Sequence, residues 1–283
     1  MVEMTAVDED IKAFDKIHQR NEGLIHKIER EHRLATYEGE DEVISASELK
    51  KRLDREPKPA WSAKSKISAL DNWIGGAFRP GQLVTASGTT GHGKTTLYKT
   101  FTQSLIEQDI PLLWLTFEIG SDDLIESIPD IYRNHFYLPA KITSKELSWI
   151  EDRTLEAILK YKARAVFIDH LHRIVDLAKI QNSSLAIGAT VQNLKLMAVN
   201  HKVIVFLIAH TTKTKSDSEL GLGDIRDSSL IEQESDIVLY TWRGKKDFQS
   251  FLKIAKNRPR GIIDKKIELV FEDGRYYEVD GTR

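Results

Sequence analysis

The chain has 283 residues, a formal net charge of −2 at pH 7 and no cysteine. That length suits one large α/β domain with a small appendage. The absent cysteines exclude disulfides, thiolate zinc sites and a thiol nucleophile. The near-neutral balance excludes a protein that coats nucleic acid by bulk charge, although a few lysines could still line a channel. No stretch approaches the roughly 18 consecutive apolar residues of a membrane span. The N-terminus is acidic and lacks an apolar secretory core, so the expectation is a protein of a reducing, cytoplasmic compartment with no membrane contact.

In chain order, residues 8–34 read as helical, with Ile11, Phe14, Ile25 and Ile28 at three- and four-residue steps. Asn21 and Gly23 interrupt the pattern, and the apolar stripe is too thin for an independent core. Glu38 to Glu42 is a solvated acidic linker. Ser45 or Ser47 is placed to cap a short helix that ends near Arg55, with Glu48 in its first turn. Pro57-Lys58-Pro59 then marks a boundary, which separates a helical extension at 1–60 from a domain at 61–283.

Gln82 to Ser87 reads as a buried strand, and Thr96 to Gln108 as a helix with Leu97, Phe101 and Leu105 on one face. Between them runs Gly88-Thr89-Thr90-Gly91-His92-Gly93-Lys94-Thr95, a G-x-x-x-x-G-K-T sequence. Strand, glycine loop and helix form the context that a nucleotide-binding P-loop requires. Glycines let backbone N–H groups turn inward and cradle phosphate at a helix N-terminus, where the dipole favours anions. Lys94 is then the ligand of the β- and γ-phosphates, and the Thr95 hydroxyl holds Mg²⁺. Gly88 through Thr95, together with Thr96, are the nucleotide-binding candidates, with His92 in a tolerant slot.

Further strands are expected at Leu112–Phe117, Ala165–Ile168, Val203–Ala209 and Ile237–Tyr240, with helices at 144–160 and 183–200 between them. Strands separated by helices imply a mostly parallel sheet covered on both faces. Phe251–Lys256, a turn at Asn257–Gly261 and Ile262–Phe271 read as a β-hairpin. Asp273-Gly274 supplies another tight turn before Arg275–Val279.

Three of these strands end in polar residues, at the edge where α/β sheets bind ligands. Asp169 closes an apolar run, and beside a P-loop such a carboxylate orients Mg²⁺ and its waters. Glu118 ends another strand, where a carboxylate could orient or deprotonate an attacking water. His210 could contact the γ-phosphate, or be a turn histidine bonded to backbone. Lys256 and Arg258 could be an ordinary solvated turn or a cationic finger that enters a neighbouring subunit's site. Two polar loops suit contacts to single-stranded DNA, one with Arg173 and Lys179, the other with Lys213, Lys215, Gly221 and Gly223.

Several segments together resemble one family. Ile67-Ser68-Ala69-Leu70-Asp71, Gly75-Gly76 and Arg79-Pro80-Gly81-Gln82-Leu83 are similar to the lead-in of RecA-like hexameric helicases. Leu113 to Ile119, Ile208-Ala209-His210, Asp224 to Ser228, Ile231 to Asp236 and Ala255-Lys256-Asn257-Arg258 follow in the family's order. The set covers roughly residues 61–279 and resembles the superfamily 4, DnaB-type replicative helicase domain. Trp114 to Ile119 and His210 are more similar to the Twinkle and phage primase-helicase branch.

The resemblance implies a RecA-like P-loop core with C-terminal β-hairpins. It assigns Lys94 and Thr95 to phosphate and Mg²⁺, Glu118 to water activation, and Asp169 to the second acidic motif. By the same match His210 is the γ-phosphate sensor, while Lys256 and Arg258 are the basic pair offered to the adjacent subunit. Arg243 and Phe271 are a looser match to a pair that sandwiches the nucleotide base. It further implies ATP or another NTP as fuel, a ring that is usually hexameric, single-stranded DNA in the pore, 5′-to-3′ movement, and a primase or other replisome protein as partner. A bacterium or a phage-infected cell is the expected setting. Against the family's pattern, the expectation is a chain without a zinc-binding or primase domain and without room for the full N-terminal domain of bacterial replicative helicases. A RecA-like recombinase, and an ATP-dependent ring or loading factor without unwinding activity, are the alternative readings.

Overall fold

The computed structural model describes residues 23–39, 41–55, 61–175, 183–210, 228–261 and 264–279. The chain divides into two compact units, Met1–Lys58 and Pro59–Arg283. In the first, α1 covers residues 23–35 and α2 covers Ala46–Arg55. The Ser45 hydroxyl accepts the Glu48 N–H at 3.1 Å, so Ser45 rather than Ser47 caps α2. Leu24, Ile25, Ile28 and Leu34 are all more than half exposed, so the expected stripe exists and is uncovered. Its earlier half, including Ile11 and Phe14, lies outside the described residues.

The second unit is built on a nine-stranded sheet. Its strands are β1 (Leu83–Gly88), β2 (Leu112–Thr116), β3 (Phe136–Tyr137), β4 (Ala165–Asp169), β5 (Ile204–His210), β6 (Ile237–Arg243), β7 (Gln249–Asn257), β8 (Lys265–Glu272) and β9 (Arg275–Glu278). They lie in the order β3-β2-β4-β5-β1-β6-β7-β8-β9. The first six in that order are parallel, and β7, β8 and β9 continue antiparallel from β6. The helices are α3 (Ser68–Ile74), α4 (Lys94–Ile106), α5 (Ser121–Glu126), α6 (Leu147–Tyr161), α7 (Leu171–Ile174), α8 (Ser183–Asn200) and α9 (Ser228–Glu234), with a 3₁₀ turn at Asp130–His135.

Alternation along the parallel strands divides the core into two layers. One face carries Trp114, Phe167 and Phe206, which are register partners on β2, β4 and β5. Their rings stack at 4.9 and 4.6 Å between centroids. Such pairs contribute about 0.5–1.5 kcal/mol each beyond area burial. Tyr98 and Phe101 of α4 pack on this ladder edge-on. The buried Tyr98 hydroxyl donates to Val84 O at 2.7 Å, which anchors α4 across β1. The other face carries Leu113, Leu115, Val166, Ile168, Val205 and Leu207 under α6 and α8. The helix after the P-loop is thereby held on the sheet from its first turns onward.

Several boundaries differ from the sequence reading. α4 starts at Lys94 rather than Thr96, because Leu97 N–H already bonds Gly93 O at 2.8 Å. β5 starts at Ile204, after Val203 closes the end of α8 by bonding Ala198 O. β6 runs on to Arg243 because β7 supplies partners as far as Ser250. β8 begins at Lys265, and residues 262–263 lie outside the described part. α3, α5, α7, α9 and β3 had no periodic signal. Elements this short cover too little nucleation cost on their own, and burial of side chains such as Leu70, Ile74, Leu124 and Leu171 holds them.

Candidate nucleotide site

The parallel strands bring their C-terminal ends to one edge, and the candidate residues meet there. Gly88 ends β1, Thr116 of β2 leads into Glu118, Asp169 ends β4 and His210 ends β5. In the loop after β1, Gly88, Gly91 and Gly93 all have positive φ, at 151°, 80° and 86°. A Cβ on Gly88 would sit 2.6 Å from Thr241 O, and one on Gly93 would sit 2.1 Å from the Tyr276 hydroxyl. Neither position accepts a side chain without moving its neighbour.

Lys94 lies inside this loop, with Nζ donating to Gly88 O and Thr89 O at 2.9 Å each. Burial pushes its pKa down to about 8, against the pull of Asp169 and Glu118, so it remains cationic at neutral pH. Thr95 Oγ1 donates to Asp169 Oδ2 at 3.0 Å. Asp169 is fully buried, and burial pushes its pKa up to about 6, although the Thr95 hydrogen bond opposes the shift. Its second oxygen, Oδ1, has no hydrogen-bond partner. A buried carboxylate oxygen left without a donor, next to a hydroxyl, fits a hard divalent cation with oxygen ligands.

Glu118 stands across from Lys94, a third exposed, and two histidines approach the same oxygen. His170 Nε2 lies 3.6 Å and His210 Nε2 3.7 Å from Glu118 Oε2. The two imidazoles meet edge to face at 4.1 Å between centroids. Burial lowers the pKa of His170 to about 3, and burial with the nearby Lys94 charge lowers that of His210. His210 Nδ1 also reaches Thr90 Oγ1 at 3.5 Å, which links β5 to the phosphate loop. The Asp169–His170 peptide bond is cis.

His92 is less neutral a position than its sequence context implied. Its carbonyl accepts the Thr241 hydroxyl at 2.8 Å, and its Nδ1 accepts the Arg243 N–H at 3.4 Å. The loop is therefore tied to β6 through His92. Arg243 and Phe271 both lie toward this end of the sheet. Phe271 meets Tyr276 edge-on at 5.8 Å, and the Tyr276 hydroxyl rests on Gly93. Thr96, in the first turn of α4, is also beside Tyr276.

Lys256 and Arg258 are placed differently. Lys256 Nζ donates to Glu232 O and to Gln233 O, the latter at 3.0 Å, and Arg258 Nη2 donates to Gln233 O. Both cations thus sit on carbonyls at the C-terminal end of α9, where the helix dipole favours them. Arg258 N–H bonds Asp236 O, and Asp236 N–H bonds Leu83 O. Arg258 is therefore level with the start of β1, whereas Gly88 is at its end. Arg173 is exposed on α7 and lines an open pocket of about 660 Å³ with Lys145 and His172. Lys179, Lys213, Lys215, Gly221 and Gly223 lie outside the described residues.

Sequence reasoning missed His170, Tyr276 and Thr241. A histidine directly after a strand-ending aspartate was a usable signal for the first. No local signal marks the other two, because both reach the loop from strands far downstream in the chain.

A family model described as the DnaB-like helicase C terminal domain matches residues 136–277, just over half of the chain. The chain belongs to this family. The stretch matched to the DnaB-like domain holds Asp169, His170, His210, Lys256 and Arg258, while the P-loop and Glu118 lie upstream of it. The chain is 22% identical over 237 residues to the replicative DNA helicase DnaB of Treponema pallidum (strain Nichols). That alignment covers 72% of this chain and 54% of the relative, so the chain spans about half the relative's length. Two solved structures share the fold at 17% identity. One, a DnaB-like replicative helicase described with its interactions with primase, gives a TM-score of 0.67 over 86% of this chain and 69% of its own. The other, solved as an ATPase domain, gives 0.68 over 83% of this chain and 97% of its own. The fold is the RecA-like one of DnaB-like ATPase domains, as the sequence reading expected.

Proposed function

We propose that this chain is the ATP-hydrolysing motor of a replicative DNA helicase that encircles single-stranded DNA as a ring. The observation that carries the reading is the set of strand ends around Lys94, in a chain of the DnaB-like family. Lys94 and backbone N–H groups of the Gly88–Thr96 segment bind the phosphates of ATP or another NTP. A phosphate entering the loop replaces the Gly88 and Thr89 carbonyls as acceptors of the ammonium with stronger, charge-assisted bonds. Thr95 and Asp169 are the residues that would hold Mg²⁺, and the ion when bound neutralises charge on the β- and γ-phosphates. Glu118 orients the attacking water and takes its proton. His210, in contact with Thr90 and close to Glu118, reports the γ-phosphate to the segment that follows β5. Arg243 and Phe271 sandwich the nucleotide base.

Lys256 and Arg258 complete the site of an adjacent subunit, so turnover requires an assembled ring, usually a hexamer. Arg173, Lys179, Lys213, Lys215, Gly221 and Gly223 bind the DNA strand, along which the ring moves 5′ to 3′ as it unwinds duplex. A primase or another replisome protein is the expected partner, in the cytoplasm of a bacterium or a phage-infected cell.

Steady-state ATP hydrolysis with and without single-stranded DNA, on a sample whose mass is measured under the same conditions, tests this reading. Stimulation by DNA in a ring-sized assembly is the expected result. A DNA-insensitive monomer would overturn the motor assignment. Filaments on DNA would favour a recombinase instead, and nucleotide-dependent capture of a partner without unwinding would favour a loading factor.

A further inference from the structure

Glu118, His170 and His210 form a second constellation at the nucleotide edge, distinct in its atoms from the Thr95–Asp169 pair. Each offers one ligand atom, and the three atoms lie within 4.8 Å of one another. His170 is 6% exposed and turns its Nε2 toward Glu118, and its ring meets that of His210 edge to face at 4.1 Å.

We propose that these three side chains bind a borderline-soft divalent ion of the zinc class. Zinc–nitrogen and zinc–oxygen bonds of about 2.1 Å at tetrahedral angles place ligand atoms about 3.4 Å apart. The two measured edges of the triangle, 3.6 and 3.7 Å from Glu118 Oε2 to the histidine nitrogens, are already close to that spacing. The third edge, between the two histidine nitrogens, is at most 4.8 Å, so closing on an ion draws the imidazoles together by up to about 1.4 Å. Two imidazoles and one carboxylate suit zinc or cobalt, whereas Mg²⁺ prefers oxygen ligands in octahedral geometry and selects Thr95 and Asp169. Three protein ligands leave a fourth position open to water or another ligand.

Binding there takes the Glu118 carboxylate as a ligand, so the ion inhibits hydrolysis by occupying the group that handles the water. That consequence rests on the catalytic role proposed for Glu118. The metal site itself does not.

Titration of the whole, nucleotide-free chain with cobalt chloride, followed by visible absorption, tests the site directly. The expected result is saturation at one equivalent with the intense bands of four-coordinate cobalt, reversed by zinc chloride. His170→Gln and His210→Gln, each checked for folding by circular dichroism, should weaken cobalt binding at least tenfold. Weak absorption typical of hydrated cobalt, or a folded His170→Gln variant that binds as the unaltered chain does, would overturn the proposal. Where Mg²⁺-dependent hydrolysis is measurable, it should fall over the zinc range that displaces cobalt; full activity of the zinc-loaded chain would overturn the inhibitory part. A chain that binds cobalt as expected but never hydrolyses ATP would refute the motor reading and leave the metal site standing.

Discussion

Arg258 gives the sharpest test of whether the site is shared between subunits. Through Asp236 it is level with Leu83, five residues before Gly88 on β1. At about 3.3 Å per residue along a strand and 4.8 Å between strands, it lies roughly 19 Å from the end of β1. No arginine side chain spans that distance, so Arg258 cannot serve the P-loop of its own subunit. If it serves a neighbour's, Arg258→Ala should lower turnover by roughly 10³–10⁵ with nucleotide binding retained. Lys94→Ala should abolish turnover through the other half of the site. Equal amounts of the two variants, denatured and reassembled together, form interfaces at random. About one interface in four then joins an intact P-loop to an intact finger, because ring interfaces are head-to-tail. Hydrolysis per subunit should recover to roughly a quarter of the unaltered level, far above either variant alone. The assay is steady-state hydrolysis on rings whose mixed composition is verified by native mass spectrometry. Verified mixed rings with no recovery would refute the shared site, as would an Arg258→Ala variant of undiminished rate.

Two further outcomes are expected. Glu118→Gln should retain nucleotide binding and lose hydrolysis by about 10²–10⁴, the usual worth of a positioned base; single-turnover kinetics at the unaltered rate would remove Glu118 from the mechanism. Glu107→Gln should destabilise the fold in a pH-dependent way. Burial opposes ionisation of Glu107, but Lys66, Tyr132 and Arg275 outweigh it and bring its pKa down to about 2. A carboxylate held below its unfolded value of about 4.3 stabilises the fold above that pH and loses the contribution as pH falls toward 2. With the carboxylate about a quarter exposed, the effect at pH 7 is about 1–2 kcal/mol after solvent screening. Urea unfolding should therefore show a gap between variant and unaltered chain at pH 7 that narrows below pH 4; a gap constant with pH would refute the assignment.

The P-loop and the strands on either side were legible because each is a local pattern. Glycines at Gly88, Gly91 and Gly93, a lysine and threonine after them, and apolar runs before and behind are all contiguous in sequence. Asp169, Glu118 and His210 were legible as polar residues ending apolar runs. Parallel topology then requires such ends to share an edge. The antiparallel extension was legible from the Asp273-Gly274 turn and the runs around it. His92 was misjudged because its bonds to Thr241 and Arg243 come from a strand about 150 positions away.

The sequence by itself determined the fold class, the phosphate loop and the identity of three of the strand-end groups, since hydrophobic period and motif spacing act over short range. Only the tertiary structure decided which atoms meet. Strand order put β4 and β5 side by side and so brought His170 and His210 to one oxygen of Glu118. The register of β8 with β9 carried Tyr276 onto Gly93, and the pairing of β6 with β7 set Arg258 at the far end of the sheet. Register is fixed by nonlocal packing of one buried face against another, and no window of sequence contains both partners.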